Sequence, residues 1–111
     1  MSNYFESEDL KKFGKIGEHA KPLADEFFKY YNAATGADGA LSRREKALIA
    51  LAVAHAQKCP YCIDAYTTAC LETGANPEQM MEAVHVAAAM QAGITLVHAT
   101  QMQKHLKKLV L

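Results

Sequence analysis

Alanine limits the folds open to this chain more than any other residue. Twenty of its 111 residues are alanine, the strongest intrinsic helix former. β-Branched residues are sparse, so the expected fold is all-α, a helical bundle of five to six helices. Helix start and stop signals recur along the sequence. Ser42 stands three residues before Glu45, the spacing of a capping box. Pro60 suits the first turn of a helix that Gly74 ends. Asn76-Pro77-Glu78 supplies a cap, a first-turn proline and a favourable negative charge for another helix. These signals predict helices over Ser7–Gly17, Lys21–Ala34, Ser42–Gln57, Pro60–Thr73, 77–91 and Ile94–Leu109, with a break near Gly93. Chain reversal between Gln57 and Pro60 makes the third and fourth helices a central antiparallel hairpin.

Other features bound the function. Residues 1–111 fit one domain. Twelve acidic and twelve basic residues balance, which argues against a general nucleic-acid binder. No uninterrupted apolar run approaches the roughly 20 residues of a membrane span. The opening MSNYFESEDLKKF is polar and acidic, unlike a secretory signal, so a cytoplasmic location is expected. A chain this short buries a modest fraction of its surface, and oligomerisation would help it. The small-residue stripe Ala87-Ala88-Ala89 to Ala92-Gly93 and the apolar end Leu109-Val110-Leu111 fit either core packing or a subunit interface, and favour the interface.

The chemistry concentrates in His55-Ala56-Gln57-Lys58-Cys59-Pro60-Tyr61-Cys62. Two cysteines separated by two residues can close a small disulfide ring. At a helix start, free backbone N–H groups and the helix dipole stabilise a thiolate, the reactive species in exchange and peroxide reduction. A sulfenic acid on one sulfur can be resolved by the other. Lys58 adds positive potential beside Cys59. Half of a zinc site and two inert buried thiols are the alternatives. The chain has no second CxxC, and His55 and His85 do not complete a common zinc spacing, so no metal and no cofactor is expected.

His55 lies on the stripe Leu48, Leu51, Ala52, His55. It is either a satisfied core histidine or a proton relay facing Tyr61 and Cys62 across the hairpin. Cys70 follows Cys62 by eight residues, about 12 Å along a helix, too far for a disulfide within it, and reads as a small buried residue. Tyr66, between them, is a core ring or part of the wall of a thiol pocket. His85 and His98 read as structural, His19 and His105 as surface residues, and the methionines as core filler.

The run Leu41-Ser42-Arg43-Arg44-Glu45-Lys46-Ala47-Leu48, then Cys59-Pro60-Tyr61-Cys62-Ile63 and Gly74-Ala75-Asn76-Pro77-Glu78, resembles the carboxymuconolactone decarboxylase superfamily. The CxxC resembles its alkylhydroperoxidase D-like branch, and Ala54-His55-Ala56 running into the motif resembles the peroxidase-like subgroup associated with arsenosugar biosynthesis. The resemblance implies an all-α homotrimer or homohexamer. It also implies an antioxidant oxidoreductase whose CxxC cycles between dithiol and disulfide, with a hydroperoxide as substrate and an external dithiol or disulfide reductase as electron donor. It assigns Cys62 to peroxide attack and Cys59 to resolution. The branch's relay glutamate falls here on Ala47 and its relay histidine on Tyr66, which leaves His55 as the replacement to test. The other readings are a disulfide exchange partner without peroxidase activity and a non-catalytic oligomeric binding protein.

Overall fold

Capping chemistry places the helix boundaries. The computed structural model describes residues 4–110, and all regular structure among them is helical. A short α1 (Ser7–Leu10) leads into a 3-10 helix (Phe13–His19). Then come α2 (Lys21–Gly36), α3 (Arg43–Ala56), α4 (Pro60–Glu72), α5 (Pro77–Val97) and α6 (Ala99–Val110). At the head of α3, Ser42 Oγ accepts the Glu45 N–H at 3.1 Å and Glu45 Oε1 accepts the Ser42 N–H at 2.8 Å. Those bonds hold the Glu45 carboxyl below its ordinary range. The head of α5 carries a second reciprocal box, between Asn76 and Gln79, with bonds of 2.8 and 3.0 Å.

Two predicted boundaries move. The first helix does not run unbroken from Ser7 to Gly17, because its regular α part ends at Leu10 and a 3-10 helix takes over. Gly14 and Gly17 weaken the longer helix. Gly17 also serves a close approach: a Cβ there would sit on top of the Ala24 Cβ of α2. The predicted break near Gly93 is absent, and the helix runs on to Val97 before His98 separates it from α6. One glycine costs an exposed helix about 1 kcal/mol, too little to stop a long one.

The core is built around α3, which packs on both α4 and α5. Ala47, Leu51 and Ala54 recur at four and three residues and are its buried stripe. Ala47 and Leu51 join Cys70 and Ala75 in one cluster, with Leu48, Tyr66, Ala69 and Met80 packed around it. Cys70 is fully buried, which pushes its thiol up and matches its reading as a small core residue. The other side of α3 receives α2, and α2 in turn carries the 3-10 helix.

The distal half of the long helix is different. After Ala87, the side chains of α5 and α6 are exposed apart from a half-buried Ala99. Met90, Ile94 and Val97 form one open apolar row, and Met102, Leu106, Leu109 and Val110 continue it on α6. Leu111 lies outside the described residues. The stretch Pro77–Val110 is long and apolar enough, by length and composition, to cross a membrane, with a window of mean hydropathy 1.4. Its first three turns pack against α3, and Met80, Ala83 and Val84 are half-buried and Ala87 buried there. The protomer is elongated, 60 × 36 × 35 Å, with a radius of gyration of 18.9 Å, against about 13 Å for a compact chain of this length.

Leu51→Ala is expected to lower stability by about 2–5 kcal/mol, because it opens a cavity in the packed cluster. Ile49→Ala, on the half-exposed face of the same helix, is expected to cost under about 1 kcal/mol. Urea unfolding monitored by far-UV circular dichroism measures both.

Candidate functional site

The end of α3 and the start of α4 share one residue. Lys58 donates its N–H to His55 O at 3.2 Å, and Cys59 donates its N–H to Ala54 O at 3.0 Å. This pair of bonds is a Schellman closure, which needs a left-handed residue between helix and exit. Lys58 supplies it with φ 54°. The same closure ends α4, where Gly74 takes the left-handed position at φ 92° and Ala75 donates to Cys70 O at 2.9 Å. Glycine takes this conformation without steric cost, whereas lysine is strained there.

Having closed α3 with its backbone, Cys59 opens α4 with its side chain. It is the N-cap residue, and its Sγ accepts the Cys62 N–H at 3.3 Å. Pro60 sits at the first helical position, where a missing N–H costs nothing. One turn brings Cys62 Sγ to 2.8 Å from Cys59 Sγ, with both thiols free. That separation leaves the pair within reach of a disulfide bond, which closes at about 2.05 Å.

The two sulfurs differ in acidity. The hydrogen bond shared with the Cys62 thiol, joined by the one from the Cys62 backbone N–H, lowers the Cys59 pKa below the ordinary thiol value. Burial, and the same bond with Cys59, push Cys62 up to about 11. Cys59 is therefore the more acidic sulfur, and Cys62 the one that keeps its proton longer.

Two cavities, of about 490 and 500 Å³, meet at this pair. The first runs along α3 past Leu41, Ile49 and Val53. The second runs under the N-terminal segment past Leu10, Phe13 and Ile16. Four residues line both: Cys59, Cys62, Tyr66 and Tyr31. The hydroxyls of Tyr31 on α2 and Tyr66 on α4 are hydrogen-bonded to each other. Burial and that bond hold the Tyr31 hydroxyl protonated far above the ordinary phenol range. The Tyr31 ring is braced by Phe13 and Phe27, at centroid distances of 5.8 and 5.3 Å. The N-terminal segment is tied across α4. Tyr61 donates its hydroxyl to Tyr4 O at 2.7 Å, and Ser7 donates to Asp64 Oδ2 at 2.7 Å.

Of the sequence-predicted site residues, Cys59, Cys62 and Tyr66 come together. His55 stands apart from them: its Nδ1 is bonded to Leu51 O of its own helix at 2.9 Å, and its ring lines neither cavity. Lys58 is exposed and acts through its backbone. Tyr31 is the member that sequence reasoning missed. It belongs to the apolar period of α2, and nothing local marks a hydroxyl whose partner lies 35 positions away. Among the described residues, no group of three His, Cys, Asp or Glu side chains converges to hold a metal ion.

Comparison with known proteins agrees with this architecture. Residues 22–104, from α2 into α6, match the carboxymuconolactone decarboxylase family. A Paracoccus denitrificans protein described as "Uncharacterized protein 4 in cox locus" is 42% identical over 93 residues, covering 82% of this chain and 84% of that protein. A match across three quarters of the sequence, on an all-helical fold, makes this chain a member of the carboxymuconolactone decarboxylase family.

Proposed function

We propose that the protein is a thiol-dependent, peroxidase-like oxidoreductase of the alkylhydroperoxidase D-like kind. One observation carries the reading: a free CxxC dithiol at the head of α4, open to two apolar cavities. Cys62 passes its proton to the Cys59 thiolate and attacks the terminal oxygen of a hydroperoxide. The S–O bond forms as the O–O bond breaks, giving Cys62 sulfenic acid and an alkoxide that is protonated to the alcohol. Cys59, now a thiol, attacks the Cys62 sulfur. Water leaves and the Cys59–Cys62 disulfide closes. An external dithiol returns both sulfurs to the thiol state, taking the disulfide itself.

The acidity order also favours a second reading, exchange with a partner disulfide without peroxide turnover. Cys59, partly accessible and the more acidic of the two sulfurs, suits that attack. In either case the protein acts as a cytoplasmic homotrimer or homohexamer. The open apolar row on α5 and α6 supports the assembly. The isolated protomer exposes 8788 Å², against about 6,000 Å² for a compact monomer of this mass. The excess is larger than a standard stable interface buries, about 1,600 Å² in all.

Three measurements test this. In stopped flow with hydroperoxide, wild type is expected to lose two thiols per peroxide, and Cys62→Ser to lose the reaction. Peroxide consumption by Cys62→Ser at the wild-type rate overturns the peroxidase reading. Alkylation followed by mass spectrometry across pH is expected to label Cys59 well below the pH at which Cys62 reacts. Cys62→Ala removes the thiol donor and moves the Cys59 profile to higher pH, whereas His55→Ala leaves it in place. Light scattering is expected to give a multiple of 12.1 kDa, reduced by Ile94→Glu with Leu106→Glu. A wild-type monomer overturns the assembly.

A further inference from the structure

The proposed cycle leaves one proton without a source. Thiolate attack on a hydroperoxide expels an alkoxide, a poor leaving group unless it is protonated as the O–O bond breaks. The groups around the sulfurs offer few donors. The titratable and charged side chains on the two cavity walls are Cys59, Cys62, Tyr61 and Tyr66 on α4, Tyr31 on α2, Lys46 on α3, and Asp9 and Lys12 in the N-terminal segment. Lys46 is turned towards the end of α2, where its Nζ donates to Ala33 O at 3.3 Å. Lys12 is paired with Asp9 at 3.4 Å. Tyr61 spends its hydroxyl proton on Tyr4 O. Among these, only Tyr31 and Tyr66 line both cavities together with both cysteines, and their hydroxyls are bonded to each other.

Building on the peroxidase reading, we propose that the Tyr31–Tyr66 hydroxyl pair is the general acid of peroxide cleavage. Tyr66 donates to the departing oxygen, and Tyr31 is the positioning residue behind it. In this arrangement Tyr31 donates to Tyr66 Oη, in keeping with the burial and the bond that push its own hydroxyl up. That leaves the Tyr66 hydrogen free to face the cavities. A hydroxyl that accepts a hydrogen bond becomes a better donor, and its phenolate is stabilised by the same bond. The balance is complete. The alkoxide takes the Tyr66 proton and leaves as the alcohol, the Tyr66 phenolate is held by the Tyr31 hydroxyl, and solvent returns the proton before the next turnover. The aromatic brace of Phe13 and Phe27 fixes the Tyr31 ring. Thr35 Oγ1 donates to Tyr31 O at 2.7 Å, securing the same turn of α2.

The test varies the leaving group. Wild type, Tyr66→Phe and Tyr31→Phe are reacted in the dithiol form with tert-butyl hydroperoxide, with peracetic acid and with an aromatic disulfide. The first expels an alkoxide that needs a proton, whereas the others expel an acetate and a stable thiolate that do not. Tyr66→Phe is expected to lose about 10²-fold with the alkyl hydroperoxide, and Tyr31→Phe less. Both are expected to stay within about threefold of wild type with the other two reagents, which also shows that the site is folded. Equal losses with all three reagents would reveal a purely structural pair and overturn the inference, as would unchanged rates with the alkyl hydroperoxide. A wild type that exchanges with the disulfide but consumes no peroxide overturns the peroxidase reading itself, and this inference with it.

Discussion

The junction at Lys58 and Cys59 carries the rest of the site. The Cys59 backbone N–H ends α3 on Ala54 O, while the Cys59 sulfur begins α4 by accepting the Cys62 N–H. One residue thus fixes the angle between two helices and places a sulfur at the positive end of the second. The closure forces Lys58 into a left-handed conformation that glycine would take more readily. Strain of this kind persists where surrounding structure holds it, and here both flanking helices are anchored in the Leu51 and Cys70 cluster. Without that geometry, Cys59 and Cys62 would be two ordinary thiols on a loop.

A second constraint follows from where the core lies. The buried cluster occupies the space among α3, α4 and the start of α5, and leaves the space between α2 and α4 unfilled. The bridge there is polar, the bond between Tyr31 and Tyr66. Around it, aromatic rings meet edge to face and the N-terminal segment is tied to Tyr61 and Asp64, so the gap is held open without being packed shut. A domain that spends its small core this way has little apolar burial left for the far half of α5 and for α6. Their open row is the natural place for the missing burial to be recovered.

Local chemistry made much of this legible in the sequence. Ser42 with Glu45, Pro60 at a first turn, and Gly74 as a stop each act within four residues, and each acts in the structure as its spacing implies. Gly93 misled because a propensity cost of one residue is set against the cooperativity of a whole helix. The first helix misled because Gly17 answers to Ala24 on another helix, a contact that no local pattern carries. At the site, the CxxC and Tyr66 lie on one helix and could be read as a unit. His55 and Tyr31 could not be separated by pattern, since each sits on an apolar stripe. Only the fold shows the imidazole turned back on Leu51 O and the phenol bonded to Tyr66 on the cavity walls that Cys59 and Cys62 share.

Ala47 explains why a phenol pair suits this chemistry. The resemblance expects a relay carboxylate at that position, but here it is a buried member of the core cluster against which Tyr66 packs. A glutamate there would be desolvated, and a buried carboxylate needs a compensating partner. In the proposed cycle no base is needed at that point, because the contact with Cys62 already lowers the Cys59 pKa at the head of α4. What the proposed peroxide cleavage still needs is an acid that stays protonated at neutral pH, lines the cavities beside the dithiol and carries no charge into an apolar space. A phenol meets all three conditions. Its partner phenol, held back by burial, stabilises the anion that forms when the proton leaves. The proposed division of labour then follows from the environment of each group: the helix head makes Cys59 the more acidic sulfur, and the gap between α2 and α4 holds the phenol pair that would supply the proton.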